Sequence, residues 1–251
     1  VETLYENALI VKGEEDGSFD DADYILFMGY ANDTWNKESE TYLNLYHDTA
    51  QYYITYGTSF GKRALVMEGT DSPETAAVTD AVYTAFLEED KYNIGSLGRR
   101  WFGRRFSNDQ EESFTLETPN VASGTQIDVA ARVASDGSNT TSFRLTIGGD
   151  ADAKSISGTS KTIVGSAPNT SFNKLRGMIH LPQNAAESIT AKLLYNSNGD
   201  LSSNGYLDFI MAQYQRNLDG AGGSFMFSLA TQDAAQQLAV AAASAETCVW
   251  E

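Results

Sequence analysis

The sequence predicts a mainly β protein: a small β-rich (α+β) N-terminal domain with one helix over residues 1–95, followed by a jelly-roll-like β-sandwich over residues 96–251. Three observations predict it. Short runs rich in β-branched and aromatic residues end at glycines. One stretch carries apolar residues at helical spacing. From Glu112 onward, strand-sized runs alternate with turn clusters at short intervals.

In the first part, Asn7–Lys12 reads as a strand. Asp23–Met28 (DYILFM) is the strongest strand signal, closed by Gly29. Gln51–Tyr56 (QYYITY) and Arg63–Glu68 (RALVME) follow, each ending at a glycine. The helix is expected from about Pro73 to Glu89. Ser72 suits an N-cap, Pro73 the first helical position, and Val78, Val82, Ala85 and Phe86 form one apolar stripe. The domain boundary is expected near Tyr92–Gly103.

The second part reads as strands at Ser113–Glu117, Gln126–Ala134, Thr140–Ile147, Lys161–Gly165, Lys174–His180, Ser188–Tyr195, Gly205–Gln215, Ser224–Ala230 and Gln237–Ala242. Turn clusters such as Asp136-Gly137-Ser138-Asn139 and Asn196-Ser197-Asn198-Gly199-Asp200 separate them. This spacing implies a sandwich or jelly roll.

Composition narrows the function. Of 251 residues, 41% are apolar, enough for a packed core, and 34 acidic against 17 basic residues give a net charge of −17. Such a surface repels phosphate backbones, so nucleic acid is excluded as a partner. No apolar run reaches the roughly 20 residues that a membrane-spanning helix needs. Cys248 is the single cysteine, so an internal disulfide is impossible. The chain begins at Val1 without a methionine and stops in a strand-like run, which reads as a processed or engineered fragment.

No motif marks a catalytic centre. His47 and His180 fall in different predicted domains, and neither is spaced for a dyad with Cys248 or for zinc. Glu14, Glu15, Asp16, Asp20 and Asp21 crowd around Gly17, with Asp23 next. Hard oxygen donors in a tight loop suit calcium, with Asp16, Asp20 and Asp21 as candidate ligands. Their order does not match an EF-hand, and a solvated acidic turn is the competing reading. Arg99-Arg100-Trp101-Phe102-Gly103-Arg104-Arg105-Phe106 is the one basic and aromatic cluster. Trp101 and Phe102 are expected to be largely buried between the two domains as an interdomain joint; the competing reading has them stacking on a ligand.

Asp16-Gly17-Ser18-Phe19-Asp20 with Asp23-Tyr24-Ile25-Leu26-Phe27 resembles the region that precedes the catalytic domain in gingipain-like cysteine peptidases, closest to the sortase of the type IX secretion system. Four further stretches agree in order: Leu45-Tyr46-His47-Asp48 with Tyr52-Tyr53, Gly98-Arg99-Arg100-Trp101-Phe102-Gly103, Gly205-Tyr206-Leu207-Asp208-Phe209, and Val249-Trp250. Arg100 and Arg104 depart from that pattern, standing where the family carries acidic residues. The resemblance implies an exported protein of the periplasm or outer cell surface. It implies a catalytic domain beginning after Val249-Trp250, so no catalytic residue is carried over to this chain. That domain, and other secretion-system proteins, are the partners it implies. A carbohydrate- or ligand-binding jelly roll is the alternative from a different class.

Overall fold

In a computed structural model, the structure describes residues 4–36, 42–44, 46–65, 76–94, 100–136, 140–148, 154–160, 172–180, 187–229, 237–244 and 247–250. The chain divides into two compact units, Val1–Glu74 with Cys248–Glu251, and Thr75–Thr247.

The first unit is built on an antiparallel hairpin of β1 (Leu9–Lys12) and β2 (Tyr24–Phe27), in register from Leu9↔Phe27 to Lys12↔Tyr24. Arg63 adds a parallel bridge to Leu9. The connection carries a short 3-10 turn at Glu14–Asp16, bracketed by Gly13 and Gly17 at φ of 93° and 82°. Only glycine enters that left-handed region without steric cost. The strands expected at 7–12 and 23–28 are therefore present. The one expected at 51–56 is not, and of the one expected at 63–68 only the Arg63 bridge is described.

The second unit is a β-sandwich of jelly-roll type. Its strands are β3 (Asp80–Glu88), β4 (Arg104–Ser107), β5 (Glu111–Glu117), β6 (Gln126–Ser135), β7 (Thr141–Ile147), β8 (Lys154–Ser160), β9 (Phe172–His180), β10 (Ser188–Asn196) and β11 (Asn204–Asn217). One sheet has the order β5-β10-β7-β8; the other has the order β3-β11-β6-β9, with β4 also paired to β11. From β8 onward, successive strands cross from one sheet to the other, as in a jelly roll. Alternation places Phe114, Leu116, Phe143, Leu145, Ile147, Ile189, Ala191 and Leu193 against Ile127, Val129, Ala131, Val133, Leu207, Ile210, Ala212 and Tyr214. Gly205 is required here: a Cβ there would lie 2.5 Å from ring atoms of both Phe143 and Tyr195.

The expected helix at 73–89 is not formed. Residues 80–88 are strand β3, paired antiparallel to β11 from Asp80↔Asn217 to Glu88↔Phe209; residues 73–75 lie outside the described set. The physical reason lies in its two apolar faces. Tyr83, Ala85 and Leu87 turn toward the core, while Phe86 packs on Phe209 at 5.0 Å on the other side. Residues apolar on both faces satisfy a helical stripe and a fully covered strand alike, and pairing with β11 decides for the strand. Because β3 belongs to this sheet, the division expected at 95/96 falls inside the second unit. The expected strand at 161–165 lies outside the described residues. Ser228, Leu238 and Ala241 make only isolated bridges where strands were expected.

Candidate functional site

The arginine-aromatic segment and the Gly205–Phe209 segment meet in space. β11 carries a bulge: Leu207 pairs Val133 and Ile210 pairs Ala131, so Asp208 and Phe209 together oppose the single residue Arg132. The bulge brings both to that arginine. Arg132 Nη1 donates to Asp208 Oδ2 at 3.1 Å, and its guanidinium carbon sits 4.7 Å from the centre of the Phe209 ring. Arg132 and Asp208 are 1% and 3% exposed. A charge pair that deep is costly to bury; these contacts hold it, and Arg132 Nε is buried with no hydrogen-bond partner.

Arg100 completes the cluster, its Nη1 donating to the same Asp208 Oδ2 at 3.1 Å. It arrives there because the chain between β3 and β4 folds back on itself. Lys91 N and Tyr92 N both donate to Phe102 O, and Phe102 N donates to Tyr92 O. Gly103 N then donates to Leu207 O at 2.8 Å, tying the segment to β11. A Cβ at Gly103 would lie 2.8 Å from Glu89 Cβ and Glu89 O, so glycine is required for this close approach.

Burial pushes the Asp208 carboxyl upward, while Arg132 and Arg100 pull it back toward ionisation. Asp90 is raised first by burial and then by the charge of Asp208. Glu89 is lowered, chiefly by its hydrogen bond from Lys91. Beside the cluster, the Tyr206 hydroxyl donates to Asp136 Oδ2 at 2.8 Å, and Asp136 Oδ1 accepts from Asn204 N. Burial raises the Tyr206 hydroxyl strongly.

The two aromatic residues of the expected joint separate. Phe102 is 0% exposed and packs with Ile94, Ala134 and Tyr206, all within the second unit. Trp101 is 39% exposed. Consecutive residues of an extended, bridged segment point to opposite sides, so both cannot be buried by one surface.

Three carboxylates of the acidic loop are engaged within the first unit. Asp16 Oδ1 accepts from Ser18 N at 2.9 Å, Asp23 Oδ2 accepts from Asp20 N at 2.7 Å, and Glu14 pairs with Arg63. Among the described residues, no group of three or more histidine, cysteine, aspartate or glutamate side chains could hold a metal ion, so Asp16, Asp20 and Asp21 are not brought together as a ligand set. Cys248 is exposed. His47 donates its backbone N–H to Asn44 Oδ1.

Arg132 escaped the sequence reading. Its signal was present: a lone arginine inside the otherwise apolar run Val129-Ala130-Ala131-Arg132-Val133-Ala134, where a charge is rarely buried without a partner. Asp208 is buried at the bulge, which no local pattern encodes.

No family model matches the chain, and no curated protein matches it in sequence. Among solved structures, dimeric latent PorU from Porphyromonas gingivalis is similar at 15% identity and a TM-score of 0.48, covering 64% of this chain and 15% of that one. CBM35 from Cellvibrio japonicus Abf62 is similar at 13% identity and a TM-score of 0.32, over 56% of this chain and 95% of that one. The CBM36-1 domain of a xylanase from the hindgut metagenome of Trinervitermes trinervoides is similar at 18% identity and a TM-score of 0.29, over 52% and 95%. No described helix is long and apolar enough to cross a membrane.

Proposed function

We propose that this chain is a non-catalytic scaffold of an exported gingipain-like cysteine peptidase or type IX secretion sortase, holding a catalytic domain encoded elsewhere in the same polypeptide. The reading rests on five ordered sequence resemblances, and one observation carries it. Two of those stretches meet through the Arg100–Asp208–Arg132 cluster, whose Asp208 and Arg132 are buried, and through the Phe102–Tyr206 packing. A segment pinned by buried charges and an aromatic anchor is stiff, and stiffness is what a domain-positioning element needs. The residues of that cluster are spent on one another, with Asp208 held between two guanidiniums. The test is incubation of the 251-residue chain with unstructured peptides and a thiol-directed probe. The scaffold reading expects no turnover; turnover abolished by Cys248→Ala overturns it.

A second reading has its own observation. Trp101 and Tyr92 lie on the same folded-back segment and are both about two-fifths exposed. Half-exposed aromatics of this kind stack on sugar rings, as a carbohydrate-binding jelly roll requires. Titration with soluble polysaccharides, followed by tryptophan fluorescence, separates the readings. Saturable quenching lost in Trp101→Ala favours the binding module, and an unchanged signal favours the scaffold.

A further inference from the structure

Among the described residues, the large sheet contains two buried arginines, and only one has a carboxylate. Arg132 stacks on Phe209 and is paired with Asp208. Arg216, near the end of β11, is 6% exposed and stacks on two rings, with its guanidinium carbon 4.8 Å from the Tyr83 centroid and 4.0 Å from that of Phe225. Its Nε is buried with no hydrogen-bond partner, and no ion pair among the described residues includes it. Its backbone is fixed on both sides of the strand: Val121 bridges Arg216, and Ala81 pairs with it across β3.

This is an unusual way to leave a guanidinium. Aromatic contact offsets part of the cost of its burial, but it does nothing for the in-plane N–H donors, and a buried donor without an acceptor is costly. Arg132, whose Nε is likewise buried with no hydrogen-bond partner, shows what neutralises such a group in this same sheet: a carboxylate that accepts from Nη1 at 3.1 Å. The N–H bonds of a guanidinium lie in its plane, so an acceptor has to reach it at the edge. A planar two-oxygen group matches the parallel donors of that edge better than a tetrahedral anion does.

We propose that Arg216, braced by Tyr83 and Phe225, is a binding site for the carboxylate of a small ligand. The ligand supplies to Arg216 what Asp208 supplies to Arg132. Because both rings are engaged by the guanidinium, recognition rests on the carboxylate rather than on an apolar or sugar-ring platform. This inference does not depend on the scaffold reading, since the site lies on other residues.

The test uses the whole chain and sodium acetate as probe, with sodium chloride and sodium phosphate at matched ionic strength as controls. The arginine Nε–H signal of Arg216 is followed by proton–nitrogen NMR, alongside the melting temperature. The expected result is a saturable downfield shift of that one signal, with a melting temperature that climbs along the same binding curve. Chloride and phosphate should give neither. Arg216→Lys keeps the charge and loses the fork, and should abolish the acetate response. Glucuronate and N-acetylglycine, titrated in the same way, distinguish a sugar acid from a peptide terminus as the source of the carboxylate; tighter binding of either than acetate supports the proposal and names the source. Three outcomes overturn it: no saturable shift in the wild-type chain up to molar acetate, an equal response to phosphate, or an acetate response that survives in Arg216→Lys. If the lysine variant does not fold, the wild-type titration alone decides.

Discussion

The hairpin unit and the sandwich unit use similar local sequences and reach opposite degrees of burial. DYILFM is as apolar as any strand in the chain, yet Tyr24, Ile25, Leu26 and Phe27 are each 37–46% exposed. No described residue between 4 and 65 is fully buried. In the sandwich, Leu193, Leu145 and Val129 are 0% exposed. The difference lies in the number of layers. Among the described residues of its unit, the two-stranded ribbon has no second sheet, and such a ribbon is at best marginally stable alone. Two twisted sheets facing one another shelter every inward residue. Local pattern thus specifies the strand, and the layer around it specifies its energy.

The sandwich depends most on its buried Asp208–Arg132 pair. Asp208→Asn removes the counter-charge of Arg132, which is itself buried. Stability should fall by about 3–5 kcal/mol, read as a lower urea midpoint. A midpoint as little changed as that of a hairpin variant would mean that Arg132 is solvated and the cluster is not integral to the sandwich.

A matched pair of leucines sharpens the same contrast. Leu193→Ala, between the sheets, should cost about 2–5 kcal/mol. Leu26→Ala, on a strand 40% open to solvent, should cost less than about 1 kcal/mol on the scale of partial burial. Equal losses would show that the hairpin is covered as well as the sandwich.

The smallest effect concerns pH. Asp90 has its folded-state carboxyl raised by burial and by Asp208, so the native state holds this proton more tightly than the unfolded chain. Its contribution is fully present below the unfolded value of about 3.9 and is lost as pH rises through the raised folded value. At neutral pH the charged form therefore costs stability, and Asp90→Asn should raise the melting temperature slightly there and not below the ordinary aspartate range. A rise of the same size at acid pH would assign the effect to packing instead of charge.

Much of the sandwich was legible in the sequence because inside and outside alternate. In Thr141–Ile147 the positions of Thr141, Phe143, Leu145 and Ile147 are buried while Arg144 is exposed, and Ser188–Asn196 behaves alike. β3 was read as a helix because both of its faces are covered, which erases alternation. β4 was missed because Arg104-Arg105-Phe106-Ser107 has one apolar residue, and only pairing with Asn204–Leu207 makes it a strand. The site was half legible. Phe102 stood out as an aromatic with area to hide. Its partners Asp208 and Arg132 depended on a bulge and on a contact between residues 76 positions apart, which no local window contains.

Residues 100–103, leading into β4, are part of the sandwich, and native-state hydrogen exchange reads this out. Phe102 N–H donates to Tyr92 O and Gly103 N–H donates to Leu207 O. If the Arg100–Asp208–Arg132 cluster locks this segment down, both amides should exchange only with the opening of β11, and Asp208→Asn should release them. The amides of β1 and β2 should exchange much faster. Phe102 and Gly103 exchanging as fast as the hairpin in the wild-type chain would contradict the claim.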